Sequence, residues 1–197
     1  MSQNIPTVYL ARHGQTEWSL SGQHTGLTDL PLTAQGEENS RRLGERLKIL
    51  NFSHVFTSPL QRAVRTCELA GFGKVATLDS DLVEWNYGEY EGLRRDEILA
   101  KRPGWQLFRD GCPGGESPRD ISARADRVIA RVRALDGDVL LFTSGHISRV
   151  LASRWLGLNA DFGRYLQLST ASLSALGDDR GQAVIRLWNE VRHLDHG

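Results

Sequence analysis

The sequence has few of the features that mark secreted, disulfide-linked or membrane-spanning proteins. Among its 197 residues the only cysteines are Cys67 and Cys112, which are too few and too scattered for a disulfide framework or a zinc site. No apolar run is long enough to cross a membrane, and Met1–Pro6 lacks the charged and apolar regions of a signal peptide. We therefore expect a cytoplasmic protein with no membrane partner.

An excess of charge of either sign is also missing. Lysine plus arginine and aspartate plus glutamate each total 24, so the formal net charge at pH 7 is zero. This balance gives no support for a surface that binds nucleic acid. Arginine heavily outnumbers lysine, and several arginines stand at the expected boundaries of strands and helices. Because guanidinium groups bind phosphate through paired hydrogen bonds, this placement suits individual contacts to oxyanions.

Short apolar runs alternate with helical patterns along the chain, which is the order that an α/β sheet requires. The predicted strands cover 8–11, 54–57, 74–78 and 139–142, with a final hairpin of 172–176 and 183–188. The predicted helices cover 33–50, a segment that starts at 58–59, 96–101, 117–135 and 147–156. Strand 139–142 is the most apolar run and is typical of a central parallel strand. The sequence therefore predicts a three-layer α/β/α sandwich around a mostly parallel sheet.

No linker, repeat or low-complexity segment divides the chain, so we expect one domain over residues 1–197. Within it, 85–116 is rich in aromatic residues, glycine and proline, and we expect this segment to form a small lid over a site. Arg109 lies in the lid and would favour a multiply anionic substrate. The tail from Asn189 onward is polar and is expected to be loose.

The first predicted strand ends in Arg12-His13-Gly14, at the place where an open α/β sheet binds its ligands. Glycine at 14 lets a ligand approach the backbone closely. One interpretation is a surface turn with a solvated arginine and a chance histidine. The other is an imidazole nucleophile beside an arginine that binds phosphate. The rest of the chain decides between them.

Two further segments carry groups that suit the same chemistry. Arg62 lies near the start of the helix after 54–57, where free backbone N–H groups and the helix dipole favour an anion. Glu84 stands among aromatic residues, which withdraw water from a carboxylate and favour the protonated form that a general acid needs. Each residue also has an ordinary interpretation, as a solvated helix arginine and as an acid in an aromatic-lined loop.

The combination of these segments is more specific than any one of them. Arg12-His13-Gly14, the segment 58–63 (Ser-Pro-Leu-Gln-Arg-Ala) and Glu84 occur in this order, and together they resemble the histidine phosphatase (phosphoglycerate mutase-like) superfamily. A narrower similarity, to the sedoheptulose bisphosphatases of fungi, is carried by the stretches 12–18, 25–33, 84–92 and 109–112. The resemblance covers nearly the whole chain and implies a phosphoglycerate mutase-like fold.

The resemblance also implies roles for individual residues. His13 would attack phosphorus and become a phosphohistidine, and Glu84 would protonate the leaving oxygen and then activate water. Arg12 and Arg62 would hold the equatorial phosphoryl oxygens. No metal or other cofactor is implied, because guanidinium groups and helix amides supply the positive charge. The other contacts to substrate or phosphate that the resemblance implies are Gln15, Ser19, Thr25, Gly26, Tyr87, Ser144 and Gly145.

One position departs from the family pattern. The family has a second histidine after the late central strand, whereas this chain has Ser144, followed by Gly145 and His146. A hydroxyl donates one hydrogen bond to a phosphoryl oxygen but carries no charge. If the chain stays extended, His146 faces the same side as Ser144 and substitutes for the missing imidazole. We expect instead that Gly145 turns the chain into the next helix, which aims His146 elsewhere and leaves a slow enzyme.

Three functions are consistent with these features. The first is a metal-independent phosphatase that hydrolyses a small phosphorylated metabolite, such as a sugar bisphosphate, through a phosphohistidine on His13. The second is a phosphoglycerate mutase, which usually needs longer insertions to protect its intermediate from water. The third is a phosphoryl-binding pseudoenzyme in which Ser144 has weakened catalysis. The first is the expected function.

Overall fold

One mixed sheet of six strands forms the centre of the computed structural model, which describes residues 5–195. In chain order the strands are β1 (Val8–Arg12), β2 (His54–Thr57), β3 (Thr77–Leu78), β4 (Val139–Thr143), β5 (Leu173–Asp179) and β6 (Gln182–Glu190). Across the sheet their order is β3-β2-β4-β1-β5-β6. β1 to β4 are parallel, and β5 and β6 extend the sheet as an antiparallel hairpin. The predicted mostly parallel sheet is confirmed.

Helices cover both faces of this sheet. In chain order they are α1 (Glu17–Ser21), α2 (Ala34–Leu47), α3 (Gln61–Leu69), α4 (Arg95–Lys101), α5 (Leu107–Asp110), α6 (Pro118–Arg133) and α7 (Gly145–Trp155). Within residues 5–195, none of them combines the length and the apolar character that a membrane crossing requires.

The central strand β4 shows how two apolar cores form. All five of its residues are buried, and successive side chains of a strand point to opposite faces. Val139 and Leu141 join the core that contains α6 and α7, whereas Leu140 and Phe142 join the core that contains α2 and α3. The three-layer sandwich predicted from the sequence is therefore confirmed.

Local signals explain where the two longest helices begin. The Thr33 hydroxyl accepts a hydrogen bond from the Gly36 N–H and caps α2. At α6, Ser117 and Asp120 cap each other's backbone N–H, and Pro118 takes the first helical position, where its missing N–H costs nothing. These boundaries agree with the sequence prediction to within about two residues at the amino end.

Three predicted boundaries are wrong, each for a local reason. The predicted strand 74–78 pairs only at Thr77–Leu78, because the N–H groups of Val75 and Ala76 donate to the Phe72 carbonyl in a turn. α3 begins at Gln61 rather than at 58–59, because Leu60 keeps an extended backbone. The predicted helix 147–156 begins at Gly145, because the chain leaves the extended conformation directly after Ser144.

The segment 85–116 packs on the α6 and α7 face of the sheet. It contributes large buried side chains to that core, namely Trp85, Tyr87, Tyr90, Trp105 and Phe108. Its action as a lid, like the assignment of 1–197 to one domain, stays a prediction. The exposed guanidinium of Arg109 donates to Asp110 and to the Gly104 carbonyl, and its expected contact with an anionic substrate stays a prediction.

The expected loose tail is wrong for the residues that the structure describes. β6 continues to Glu190, and Arg192–Leu194 form a short 3₁₀ turn. The His193 side chain is hydrogen-bonded to the Ala171 carbonyl. Residues 196–197 of the expected tail lie outside the described residues.

The topology brings three strand ends to one edge of the sheet. β1, β2 and β4 are parallel neighbours, and they end at Arg12, Thr57 and Thr143. The residues that follow each strand therefore meet at the carboxyl edge, where α/β sheets bind their ligands.

Candidate active site

His13 follows β1 and is held as a neutral base. Its Nδ1–H donates to the Gly14 carbonyl at 2.7 Å, and a carbonyl can only accept, so the Nε2 lone pair stays free. Burial lowers the pKa of His13 well below the ordinary 6.5, and the nearby Arg62 and Arg12 lower it further. A neutral imidazole with a free Nε2 is the form that a nucleophile needs.

Arg12 lies against the start of α7. Its Nη1 donates to the Leu168 carbonyl, and burial lowers its pKa while Glu84 opposes that shift. A Cβ at position 145 would lie 3.2 Å from both Cζ and Nε of Arg12, so a larger residue there would require the guanidinium to shift by a few tenths of an ångström. Gly145 thus packs closely against Arg12, while its expected contact with phosphate stays a prediction.

Arg62 is fully buried in the first turn of α3. Its Nη1 donates to the Thr28 carbonyl at 2.9 Å, and its Nη2 donates to the Gly26 carbonyl at 2.7 Å. Position 26 requires glycine because a Cβ there would lie 2.6 Å from the backbone carbonyl oxygen of Trp85. Gly26 thus positions Arg62 through its carbonyl.

The Glu84 carboxylate joins the loop after Val83 to the amino end of α7. Its Oε1 accepts from the backbone N–H of Trp85 at 2.8 Å and of Ile147 at 2.9 Å. Its Oε2 accepts from the backbone N–H of His146 at 2.8 Å. A helix amino end stabilises negative charge, so α7 fixes the position of this carboxylate.

Ser144 is the residue immediately before α7 and is completely buried. Its Oγ has no hydrogen-bond partner among the described residues, and the same is true of the buried Nε atoms of Arg12 and Arg62. Buried polar groups are normally paired. These three groups lie near His13 and have no hydrogen-bond partner within residues 5–195. Each is able to donate a hydrogen bond to the oxygen of a bound oxyanion.

The expected orientation of His146 is wrong. The chain does turn into α7 at Gly145, but the His146 side chain lines the same cavity as His13, and its Nδ1 is 2.5 Å from the Tyr87 hydroxyl. Side chains of a helix lean toward its amino end, which here faces the cavity. Burial lowers the pKa of His146 well below 6.5 and raises that of Tyr87 well above 10, so both groups are uncharged at neutral pH.

These side chains surround a cavity of about 170 Å³. The predicted site residues that line it are Arg12, His13, Ser19, Thr25, Glu84, Tyr87, Gly145 and His146. Arg62, Gly26 and Ser144 are not among its lining residues. Gln15 is not brought to the cavity, because its side-chain oxygen accepts from the Thr33 hydroxyl at the start of α2.

Comparison with known proteins agrees with this geometry. Residues 8–191 match the family described as histidine phosphatase superfamily (branch 1). The chain belongs to this superfamily. Its fold matches the solved structure of the product of open reading frame Rv3214 from Mycobacterium tuberculosis, with a TM-score of 0.90, 34% identity and coverage of 94% of this chain and 98% of that one.

Curated relatives of this histidine phosphatase include hydrolases and mutases. It is 40% identical over 190 residues to sedoheptulose 1,7-bisphosphatase of Saccharomyces cerevisiae, covering 80% of this chain and 70% of the relative. An acid phosphatase of Mycobacterium tuberculosis is 37% identical over 87% of this chain and 86% of the relative. A probable phosphoglycerate mutase, GpmB, of Salmonella choleraesuis is 35% identical over 95% and 94%. The family and its phosphatases confirm the expected class, a phosphoric monoester hydrolase of the histidine phosphatase type.

Sequence reasoning did not assign His24 or Arg149 to the site of this histidine phosphatase. Both line the cavity, and the His24 ring lies edge-on to Tyr87 with 4.9 Å between the ring centres. Burial lowers the pKa of each. His24 directly precedes the predicted Thr25 and Gly26, and this adjacency was a usable signal. The Leu168 carbonyl also lines the site, but a backbone acceptor has no sequence signature.

A larger basic cavity adjoins the first one. Its volume is about 700 Å³, and it shares His24, His146 and Arg149 with the inner cavity. Its other lining residues are Arg95, Trp105, Gln106, Leu107, Phe108, Arg164 and Tyr165. The lining contains three arginines and no acidic residue. Among residues 5–195, no group of three or more His, Cys, Asp or Glu side chains is arranged to hold a metal ion.

The buried histidines predict a loss of stability in mild acid. Because burial lowers the pKa of His13, His24 and His146 below 6.5, the unfolded chain binds protons that the folded chain does not. This stabilisation is complete above about pH 6.5 and is lost as the pH falls through the folded-state pKa values. We expect Tm to fall between about pH 6.5 and pH 5, and to fall less steeply in His146→Gln. Equally steep falls in both proteins would contradict this cause.

Proposed function

We propose that this histidine phosphatase hydrolyses a small phosphorylated metabolite through a phosphohistidine on His13. The observation that carries the proposal is the set of buried groups without partners, Arg12 Nε, Arg62 Nε and Ser144 Oγ, beside a histidine whose Nε2 is free. A phosphoryl group supplies acceptor oxygens for such donors, and its developing charge is stabilised by preorganised donors.

The reaction takes place in two displacements. The His13 Nε2 lone pair forms a bond to phosphorus while the bond to the leaving oxygen breaks, and Glu84, which must carry a proton at this step, gives that proton to the leaving oxygen. Water then attacks the phosphohistidine, Glu84 takes the proton from this water, and the P–N bond breaks. The products are an alcohol and phosphate, and His13 and Glu84 return to their starting states.

The outer cavity indicates the class of substrate. Phosphate held at His13 would leave the rest of a small substrate facing Arg95, Arg149 and Arg164, without an acidic residue in the lining. That charge suits a second anionic group, as in a sugar bisphosphate. The name of the yeast relative supports the same class. These arginines join Arg109 as reasons to expect a multiply anionic substrate.

A mutase activity is the second candidate because of the GpmB relative. Both activities begin with the same phosphohistidine, and they differ in whether water or a second substrate hydroxyl receives the phosphoryl group. Release of inorganic phosphate without interconversion of phosphoglycerates supports the phosphatase. The third candidate, a pseudoenzyme, requires that no phosphoryl transfer occurs.

His13→Ala tests the nucleophile. We expect the unmodified protein to release phosphate from p-nitrophenyl phosphate and from sugar phosphates, and the variant to lose this activity because no other side chain replaces Nε2. The control is His54→Gln, at the opposite end of the sheet, which should keep full activity. Retention of most activity in His13→Ala would exclude this mechanism, and inactivity of the unmodified protein would favour the pseudoenzyme.

Ser144→His tests whether the missing histidine limits the rate. Loss of one preorganised donor costs about 10²–10³ in rate, so we expect a rise in kcat of about tenfold or more. Ser144→Ala, which removes the hydroxyl, should lower kcat. If Ser144→His leaves kcat unchanged and His146→Ala abolishes it, then His146 serves as the second histidine.

Arg95→Gln and Arg164→Gln test the outer cavity. We expect each to raise KM for a sugar bisphosphate about tenfold, because a hydrogen bond to a charged group is lost. KM for p-nitrophenyl phosphate, which lacks a second anionic group, should stay within about twofold of its original value. The control is Arg119→Gln on the exposed start of α6. Equal changes for both substrates would exclude a second anion site here.

A further inference from the structure

The connection before β5 holds the end of β1 at three points. The Arg12 N–H donates to the Ser172 carbonyl at 3.1 Å, and the Ala171 N–H donates to the His13 carbonyl at 3.0 Å. The third contact is from Arg12 Nη1 to the Leu168 carbonyl. We call residues 167–172 the clamp, because these contacts fix both the backbone of His13 and the guanidinium of Arg12.

The clamp is irregular, and within it the Ser172 hydroxyl donates to the Ser169 carbonyl at 2.7 Å. Its Ala171 has φ of +54°, in the left-handed region that a non-glycine residue keeps only when its surroundings impose it. Ala171 is also completely buried. Contacts from outside the clamp therefore add to this internal hydrogen bond in holding the conformation.

Three side chains from the carboxyl-terminal part of the chain supply those contacts. Trp188 Nε1–H donates to the Gln167 carbonyl at 2.6 Å, and Asn189 Oδ1 accepts from the Ser169 N–H at 2.7 Å. His193 Nε2–H donates to the Ala171 carbonyl at 2.8 Å. Each contact is made to a backbone atom of the clamp, and the three are spread along its length.

None of these three side chains belongs to the described residues that line the inner or the outer cavity. Their effect on substrate must therefore pass through the clamp. A shift of the clamp would move the Leu168 carbonyl, and the Arg12 guanidinium would move with it. Misplacement of a reacting or binding group by about 1 Å can cost about 10²-fold in rate.

We infer that Trp188, Asn189 and His193 are positioning residues for the phosphate site, acting through the clamp on Arg12 and His13. This inference rests on the proposed function, because the group that Arg12 and His13 receive is taken to be phosphoryl. It assigns a role in substrate binding to the last strand and to the turn after it, far along the chain from Arg12.

Matched substitutions test the positioning role. His193→Leu removes the donor to Ala171, whereas His193→Gln keeps an N–H near the same place. Asn189→Gly keeps the backbone freedom that its φ of +54° requires but removes the acceptor, whereas Asn189→Asp keeps an acceptor. The readouts are kcat and KM for p-nitrophenyl phosphate and the inhibition constant of orthovanadate, an analogue of the transferred phosphoryl group.

We expect His193→Leu and Asn189→Gly to lower kcat/KM about tenfold and to weaken vanadate inhibition by a similar factor. His193→Gln and Asn189→Asp should restore both readouts to within about threefold of the original protein. The control is Arg180→Gly, at the other end of the same hairpin, where φ is also +54° and no clamp contact is made. It should change neither readout.

Two results would overturn the inference. One is unchanged kcat/KM and vanadate inhibition in His193→Leu and Asn189→Gly at a temperature where both are folded, even if their Tm falls. The other is equal losses in the conservative and disruptive variants. If both disruptive variants fail to fold, Trp188→Phe, which removes a single N–H, takes their place under the same criteria. Vanadate binding to the same variants can also be measured by titration calorimetry, which needs no turnover, so absence of phosphatase activity counts against the proposed function and not against the clamp.

Discussion

The site depends on the attraction between the Glu84 carboxylate and the arginines around it. Arg62 is buried and Arg12 and Arg149 are partly buried, and in each the negative charge of Glu84 is the largest influence that opposes the loss of the proton. Buried charges are costly unless they are paired and hydrogen-bonded. Three backbone N–H groups hold the carboxylate at the start of α7. One buried anion therefore faces three cations that are partly or fully withdrawn from water, and the excess of positive charge suits a phosphoryl group.

The same charges keep the His13 imidazole neutral, which is the form that a nucleophile needs. Burial and two neighbouring guanidinium groups prevent His13 from binding a proton, and the Gly14 carbonyl fixes which ring nitrogen carries the hydrogen. The cations thus have two effects: they attract the phosphate, and they keep the imidazole neutral. Ser144 fits this environment without charge, whereas a protonated histidine there would add a further cation. Serine in place of the second histidine of the family keeps Arg12 and Arg62 beside His13 but removes the imidazole donor.

Local sequence patterns were sufficient to predict several features of the fold and of the site. The apolar run of β4, the caps of α2 and α6 and the Arg12-His13 pair after β1 each follow from residues that are close in the chain. The orientation of His146 was mispredicted, because it depends on where the first turn of α7 faces. Contacts between distant segments, such as Arg12 to the Leu168 carbonyl, leave no local pattern at all. The clamp and the outer cavity are of this kind.

The most direct test of the account is identification of the residue that carries phosphate during turnover. The protein would be mixed with a radiolabelled phosphate monoester, quenched in alkali within milliseconds, digested and mapped. The account predicts a label on the peptide that contains His13, stable in alkali and lost in acid, as a P–N bond requires. An acid-stable label on a serine, or a label that persists in His13→Ala, would contradict it.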